Sequence, residues 1–145
     1  MKALNTDQIV GKLKSHFQNK SYIDFVYLFG SVARGEVKPL SDFDVAVCID
    51  STQAPDDLFD IRLKLLSELF NVLQTEKVDL IILNQAPVEL SFRILKDGKL
   101  VFERDRQMRI DFREKVVREY IDKRYFLNQR HEIIREEMMQ GDYFD

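Results

Sequence analysis

Gly30-Ser31-Val32-Ala33-Arg34-Gly35-Glu36-Val37-Lys38-Pro39-Leu40-Ser41-Asp42-Phe43-Asp44-Val45-Ala46-Val47 is the stretch on which the fold turns. It follows the apolar and aromatic run Phe25-Val26-Tyr27-Leu28-Phe29, which stops at Gly30 and reads as a buried strand. Ser31 to Gly35 then reads as a short helical turn. Gly30 has no side chain to keep a ligand off the backbone, and the N–H groups of the turn after it suit a phosphate. Ser31 adds a hydroxyl donor. Arg34 reads either as a phosphate-binding cation or as a solvated turn residue. Ten residues after Ser31, a second strand is expected over Phe43–Ile49 with Asp42-Phe43-Asp44 at its start.

Side chains two apart on a strand leave the same face, so this spacing forces the carboxylates of Asp42 and Asp44 together. Like charges that close raise one another's pKa unless a cation lies between them. Mg²⁺ prefers oxygen ligands and keeps several waters, so two carboxylates plus substrate phosphates suit it. Asp79 is the one charge in the third expected strand, Val78-Asp79-Leu80-Ile81-Ile82-Leu83. An unpaired carboxylate buried there would be costly, and a metal shared with Asp42 and Asp44 would remove the cost. Asp79 is also placed to take a proton from an attacking hydroxyl. Taken singly, each feature has a plain alternative: Gly-Ser is a common turn, Asp-x-Asp a common loop or cap, Asp79 a strand-edge residue. Their joint occurrence favours the metal site.

Working outward, apolar residues at helical spacing put a helix over 6–19, with Thr6 as its N-cap. Leu58, Ile61, Leu65, Leu69 and Leu73 mark an amphipathic helix over Pro55–Leu73, with Asp56 and Asp57 in its first turn. Pro87 opens a short helix ending near Gly98, and Lys99–Glu103 reads as a fourth strand. From Arg106 no Gly or Pro occurs until Gly141, so one helix of roughly 50 Å fits, kinked or reaching beyond the core. The order of elements gives an α+β (α/β) domain with a small mixed sheet flanked by helices. Residues 1–105 are expected to form the core, and 106–140 a helical extension on that core, on a partner, or on both.

The chain has 145 residues, a formal net charge of −3, 45% hydrophobic residues and one cysteine. That charge argues against a dedicated nucleic-acid binder. The lone Cys48 excludes a disulfide framework and reads as a small buried hydrophobe. No signal-like or membrane-spanning run is visible, so the cytoplasm is the expected compartment.

On the Gly-Ser, ten-residue, Asp-x-Asp spacing with a third distant carboxylate, the sequence resembles the polymerase-β-type nucleotidyltransferases. The Gly-Ser-x-Ala-Arg-Gly opening and the Ser-Asp-x-Asp-x-Ala-Val ending, in so short a chain, resemble the minimal nucleotidyltransferase (MNT, MntA-like) antitoxins over roughly residues 5–139. The resemblance implies a polymerase-β-like core with a long C-terminal helix, ATP as donor, and AMP moved onto a tyrosine of a HEPN ribonuclease toxin. It also implies that Gly30 and Ser31 hold the triphosphate and that Asp42 and Asp44 bind two Mg²⁺ ions. Asp79 would complete the metal site and activate the acceptor. Two other readings stay open: transfer to a small molecule, as in aminoglycoside-modifying relatives, and a stoichiometric antitoxin that only binds. Along the last helix, Ile110, Val117, Arg124, His131 and Met138 form one row beside Tyr120, Leu127 and Ile134. This is read as a core-facing stripe whose interruptions at Arg124 and His131 leave room for a partner. The Arg124 to His131 spacing mimics a HEPN catalytic motif, but one helix cannot supply the bundle that motif needs.

Overall fold

The computed structural model describes residues 5–33 and 42–140. Nine elements follow in order: α1 (Thr6–Phe17), β1 (Ile23–Phe29), α2 (Gly30–Ala33), β2 (Phe43–Ile49), α3 (Leu58–Leu73), β3 (Val78–Ile82), α4 (Val88–Asp97), β4 (Lys99–Glu103) and α5 (Arg106–Gln140). The four strands form one sheet in the order β3-β2-β1-β4. β1 runs antiparallel to both β2 and β4, and β2 runs parallel to β3, so the sheet is mixed.

Period-two alternation sends each strand's apolar residues to two separate cores. On one face Val26, Leu28, Val45, Val47 and Leu80 pack beneath Ile9, Leu13 and Phe17 of α1 and Ile61, Leu65 and Leu69 of α3. On the other, Phe25, Tyr27, Ala46 and Cys48 pack beneath Ile94 of α4 and Phe112 of α5. Each large aliphatic side chain taken fully out of water contributes about 1.5–3 kcal/mol. Cys48 is buried and free; burial, with the nearby charges of Asp24 and Asp50, pushes its thiol pKa up to about 12, so it acts as a packing group.

Several helix and strand starts differ from the sequence expectation. α1 is capped by Asn5, not Thr6: the Asn5 side chain accepts from the Gln8 N–H at 2.8 Å while the Gln8 side chain accepts from the Asn5 N–H at 3.0 Å. That reciprocal pair satisfies two donors that a cap at Thr6 would leave open. α3 begins at Leu58, not Pro55, because Asp57 is the N-cap, its side chain accepting from the Asp60 N–H at 2.9 Å. β1 begins two residues before Phe25, and its pairing with β2 slips between Ile23 and Phe25, which inserts Asp24 as a bulge.

α5 is one continuous helix of 35 residues. Its first turns dock on the core through buried Val116, through Phe112 against Phe25 (ring centroids 5.4 Å apart) and through Tyr120 stacked on Phe92 of α4 at 3.9 Å. An ion pair from Lys123 to Glu89 closes the contact. From residue 121 through 139 every residue except Ile134 is exposed, Arg124 and His131 included. The docked Phe112 and Val116 lie outside the two expected rows, of which Tyr120 makes a docking contact while Arg124, Leu127, His131 and Met138 are exposed. No helix among the described residues is long and apolar enough to cross a membrane.

Candidate functional site

Register brings the carboxylates together. Asp44 on β2 is the direct partner of Asp79 on the parallel neighbour β3, and of Phe29 on the antiparallel neighbour β1. Asp44 alternates with Val45 and Val47, which enter the α1/α3 core, so its carboxylate leaves the sheet on the α4/α5 face with Ala46 and Cys48. Asp79 lies on that same face by the same alternation, with Leu80 and Ile82 pointing away from it. Asp42 is exposed immediately before β2. Burial raises the pKa of Asp44, and the charges of Asp79 and Asp42 push it the same way. Asp79 and Asp42 are thus both within electrostatic reach of Asp44.

Gly30 closes the other side. Its φ is +78°, a conformation that side chains with a Cβ rarely adopt, and a Cβ there would stand 2.2 Å from Oδ2 of Asp44. Glycine is required twice over, by the backbone turn out of β1 and by the carboxylate pressed against it. Ser31 falls in α2 by its backbone; its hydroxyl, and Arg34 entirely, lie outside the described residues.

Asp79 is not the buried carboxylate that its apolar surroundings in sequence suggest. β3 is an edge strand, and the Asp79 side chain keeps 54% of its exposure. It has a cationic neighbour that sequence reading missed. Arg62 of α3 donates from Nε to the Leu80 carbonyl at 3.2 Å and holds a guanidinium nitrogen 3.7 Å from Asp79 Oδ1. A second missed group is Arg93, which with Asp97 lines a cavity of about 260 Å³ beside Gly30, between Phe29 and the Leu90/Ile94 side of α4. Neither arginine carries a local signal, since each looks like an ordinary exposed position on an amphipathic helix.

Among the described residues, no three Asp, Glu, His or Cys side chains are drawn tightly enough to enclose a metal ion. The aspartates make an open acidic face with hard oxygen donors only. That donor set fits a cation such as Mg²⁺, which keeps several waters and takes phosphate oxygens alongside one or two carboxylates. Burial raises the pKa of Asp44 first, and the charges of Asp79 and Asp42 add a repulsion that such a cation would relieve.

Residues 11–107 match the family described as Polymerase beta, Nucleotidyltransferase. Among solved structures, a chain of a toxin-antitoxin crystallised with AMP-PNP is 29% identical at a TM-score of 0.65, over 93% of this chain and 99% of that one. A chain of the MntA-HepT toxin-antitoxin is 28% identical at a TM-score of 0.58, over 94% and 99%. A third, from the tri-AMPylated Shewanella oneidensis HEPN toxin in complex with MNT antitoxin, is 28% identical at a TM-score of 0.57, over 95% and 99%. A search of curated proteins finds no match.

Proposed function

The chain belongs to the polymerase beta nucleotidyltransferase family, and from that premise we propose that it is an antitoxin that moves AMP from ATP onto a tyrosine of a HEPN toxin. The observation that carries the catalytic reading is the pairing of Asp44 with Asp79 across adjacent strands, with Gly30 packed on the Asp44 carboxylate. The choice of nucleotide and acceptor leans on the solved relatives, one crystallised with AMP-PNP and another holding a tri-AMPylated HEPN toxin.

Asp42, Asp44 and Asp79 would hold two Mg²⁺ ions, which when bound supply charge stabilisation to the attacking and leaving oxygens of an in-line displacement. The chain's own residues do the rest. Gly30 lets the triphosphate approach the backbone at the end of β1, with the Ser31 and Arg34 side chains as further phosphate ligands. Asp79 accepts the proton of the tyrosine hydroxyl as its oxygen bonds to the α-phosphorus. The bond from that phosphorus to the β-phosphate oxygen breaks, and pyrophosphate departs. Arg62, 3.7 Å from Asp79 Oδ1, would help to orient that carboxylate.

In this reading residues 1–105 form the catalytic core, and α5 divides its labour. The first half braces the core, and the exposed second half, carrying Ile121, Tyr125, Phe126 and Ile133, receives the toxin. The defining experiment is a time course with a HEPN toxin in tenfold or so excess, ATP and Mg²⁺, followed by intact-mass analysis. Catalytic transfer adds AMP masses to toxin well beyond one equivalent of this protein. A binding-only antitoxin leaves the toxin mass unchanged while still forming a complex, and that result refutes the transferase reading.

A further inference from the structure

The far end of the sheet holds a second acidic recess that the transfer chemistry does not use. Asp24 sits in the bulge of β1, one residue from the Ile23–Ile49 pair, whereas Asp44 pairs with Phe29 at the other end of the strand. Five residues of strand put the two recesses roughly 17 Å apart. The Asp24 residue is only 8% exposed. It lines a groove of about 630 Å³ together with Asp50, Gln53, Arg104, Asp105, Arg106 and Met108.

What distinguishes Asp24 from its neighbours is the state of its carboxylate. Asp50 already commits Oδ1 to the backbone N–H and hydroxyl of Thr52, at 3.0 and 2.6 Å. Asp105 commits Oδ1 to the Gln107 N–H at 2.8 Å. Among the described residues no hydrogen bond or ion pair reaches the Asp24 carboxylate, yet no enclosed side-chain oxygen or nitrogen is left without a partner. The remaining exposure of its oxygens therefore opens into the groove. Arg104 is nearby but occupied: its guanidinium donates to the carbonyls of Ile23, Gln18 and Lys20. Arg106 also lines the groove and is solvent-exposed. Burial raises the pKa of Asp24, the charges of Asp50 and Asp105 add to that, and Arg104 only partly opposes them.

We propose that this groove binds a primary alkylammonium group, with the Asp24 carboxylate as its principal acceptor. An ammonium offers three donors on a thin alkyl stem. Asp24 would take one, and Asp50, Asp105 and Met108 line the same groove to receive the rest of the group. One wholly free carboxylate with two partly committed ones suits a single positive charge better than a divalent ion that wants six or more oxygen ligands. The ammonium comes either from a free polyamine or from a lysine of a bound protein.

Calorimetric titration of the full chain with 1,5-diaminopentane, and separately with Nα-acetyl-lysine N-methylamide, separates these sources. Saturable binding of the diamine alone assigns a polyamine, and of the lysine derivative a protein lysine. The Nε-acetylated derivative, which carries no charge, does not bind. Asp24→Asn weakens binding by about 10- to 100-fold, the scale of losing a hydrogen bond to a charged group. Gln53→Lys, which tethers an ammonium at the groove, blocks the probes and raises Tm, so the result does not depend on one variant. The proposal is overturned if neither amine binds, if the acetylated form binds equally well, or if both variants bind as the parent does.

Discussion

Each end of the β1–β2 pair gathers three aspartates, and the two gatherings are built differently. At the Phe29 end, Asp44 and Asp79 meet by strand register, Asp42 stands immediately before β2, and Gly30 presses on one carboxylate. At the Ile23 end a bulge delivers Asp24, while Asp50 and Asp105 spend part of their hydrogen-bonding capacity on local turns and the start of α5. Desolvation and like charge raise a carboxylate pKa at both. Acidity and crowding therefore do not separate the proposed catalytic centre from the other acidic recess. The separating features are an exposed edge strand and a residue without a side chain where a ligand's phosphates would lie.

Two substitutions of the same chemistry test that contrast most directly. Asp44→Asn is expected to lower AMP transfer to the acceptor by about 100- to 1000-fold, the effect of deleting one electrostatic stabiliser at a reacting centre. Asp24→Asn, some 17 Å away along the strand, is expected to leave the rate within about twofold. Incorporation of labelled AMP from ATP measures both, and equal losses would erase the distinction between the two ends. The glycines provide a second contrast. Gly30→Ala places a methyl against Asp44 in a left-handed backbone, so we expect a loss of about 1–2 kcal/mol in stability and roughly a tenfold or greater drop in transfer. Gly11, inside α1, has nothing within 4 Å of an added Cβ. Gly11→Ala should instead stabilise by about 0.5–1 kcal/mol with activity intact. Denaturant unfolding and the same transfer assay read both.

The parts of this molecule that were legible in its sequence are those written in local periodicity. Phe43–Ile49 and Lys99–Glu103 have the bounds that their apolar runs suggest, and the absence of Gly and Pro after residue 106 corresponds to the unbroken α5. That Asp44 and Asp79 share a face follows from alternation on two strands once those strands are neighbours. What local pattern hides is tertiary. The exposure of Asp79 depends on β3 lying at the sheet edge, which no property of Val78–Ile82 announces. Arg62 reaches Asp79 only because of how α3 lies over that edge. Asp24 broke the apolar run of β1 and made the strand look shorter, when the charge sits in a bulge that lets the strand continue. The half-docked state of α5 is invisible for the same reason: apolar residues continue along a helix whose supporting core stops near Tyr120, and the docked Phe112 and Val116 lie beside the row that spacing picks out.

Arg62 permits a finer cut within the proposed catalytic end. Its guanidinium is 40% exposed and 3.7 Å from a carboxylate that is itself half-exposed, so solvent screens the pair. Such pairs contribute at most about 1 kcal/mol. Arg62→Ala should lower the transfer rate by no more than about fivefold, with Tm nearly unchanged. Arg62→Lys should recover part of that loss, and a drop as deep as that of Asp44→Asn would make Arg62 a participant in the chemistry instead of a support for Asp79.

The smallest expected effect concerns stability at the Ile23 end, and its sign is fixed by linkage. The folded state raises the pKa of Asp24 above the ordinary value of 3.8, so folding favours the protonated form of that side chain. A raised carboxylate gives its full stabilising contribution below the unfolded pKa and loses it as pH climbs through the folded one. At neutral pH the ionised Asp24 therefore works against the fold, and Asp24→Asn, which cannot ionise, should raise Tm. Lowering the pH through the folded pKa and on below 3.8 protonates the parent in both states, and the advantage of the variant should shrink away over that interval. Thermal melts of the pair from neutral pH down to about pH 3 follow this directly. A saturating alkylammonium should narrow the gap at neutral pH by stabilising only the parent. A gap that neither closes on acidification nor narrows with the amine would mean that Asp24 is held by its surroundings in a way its unpartnered carboxylate does not reveal.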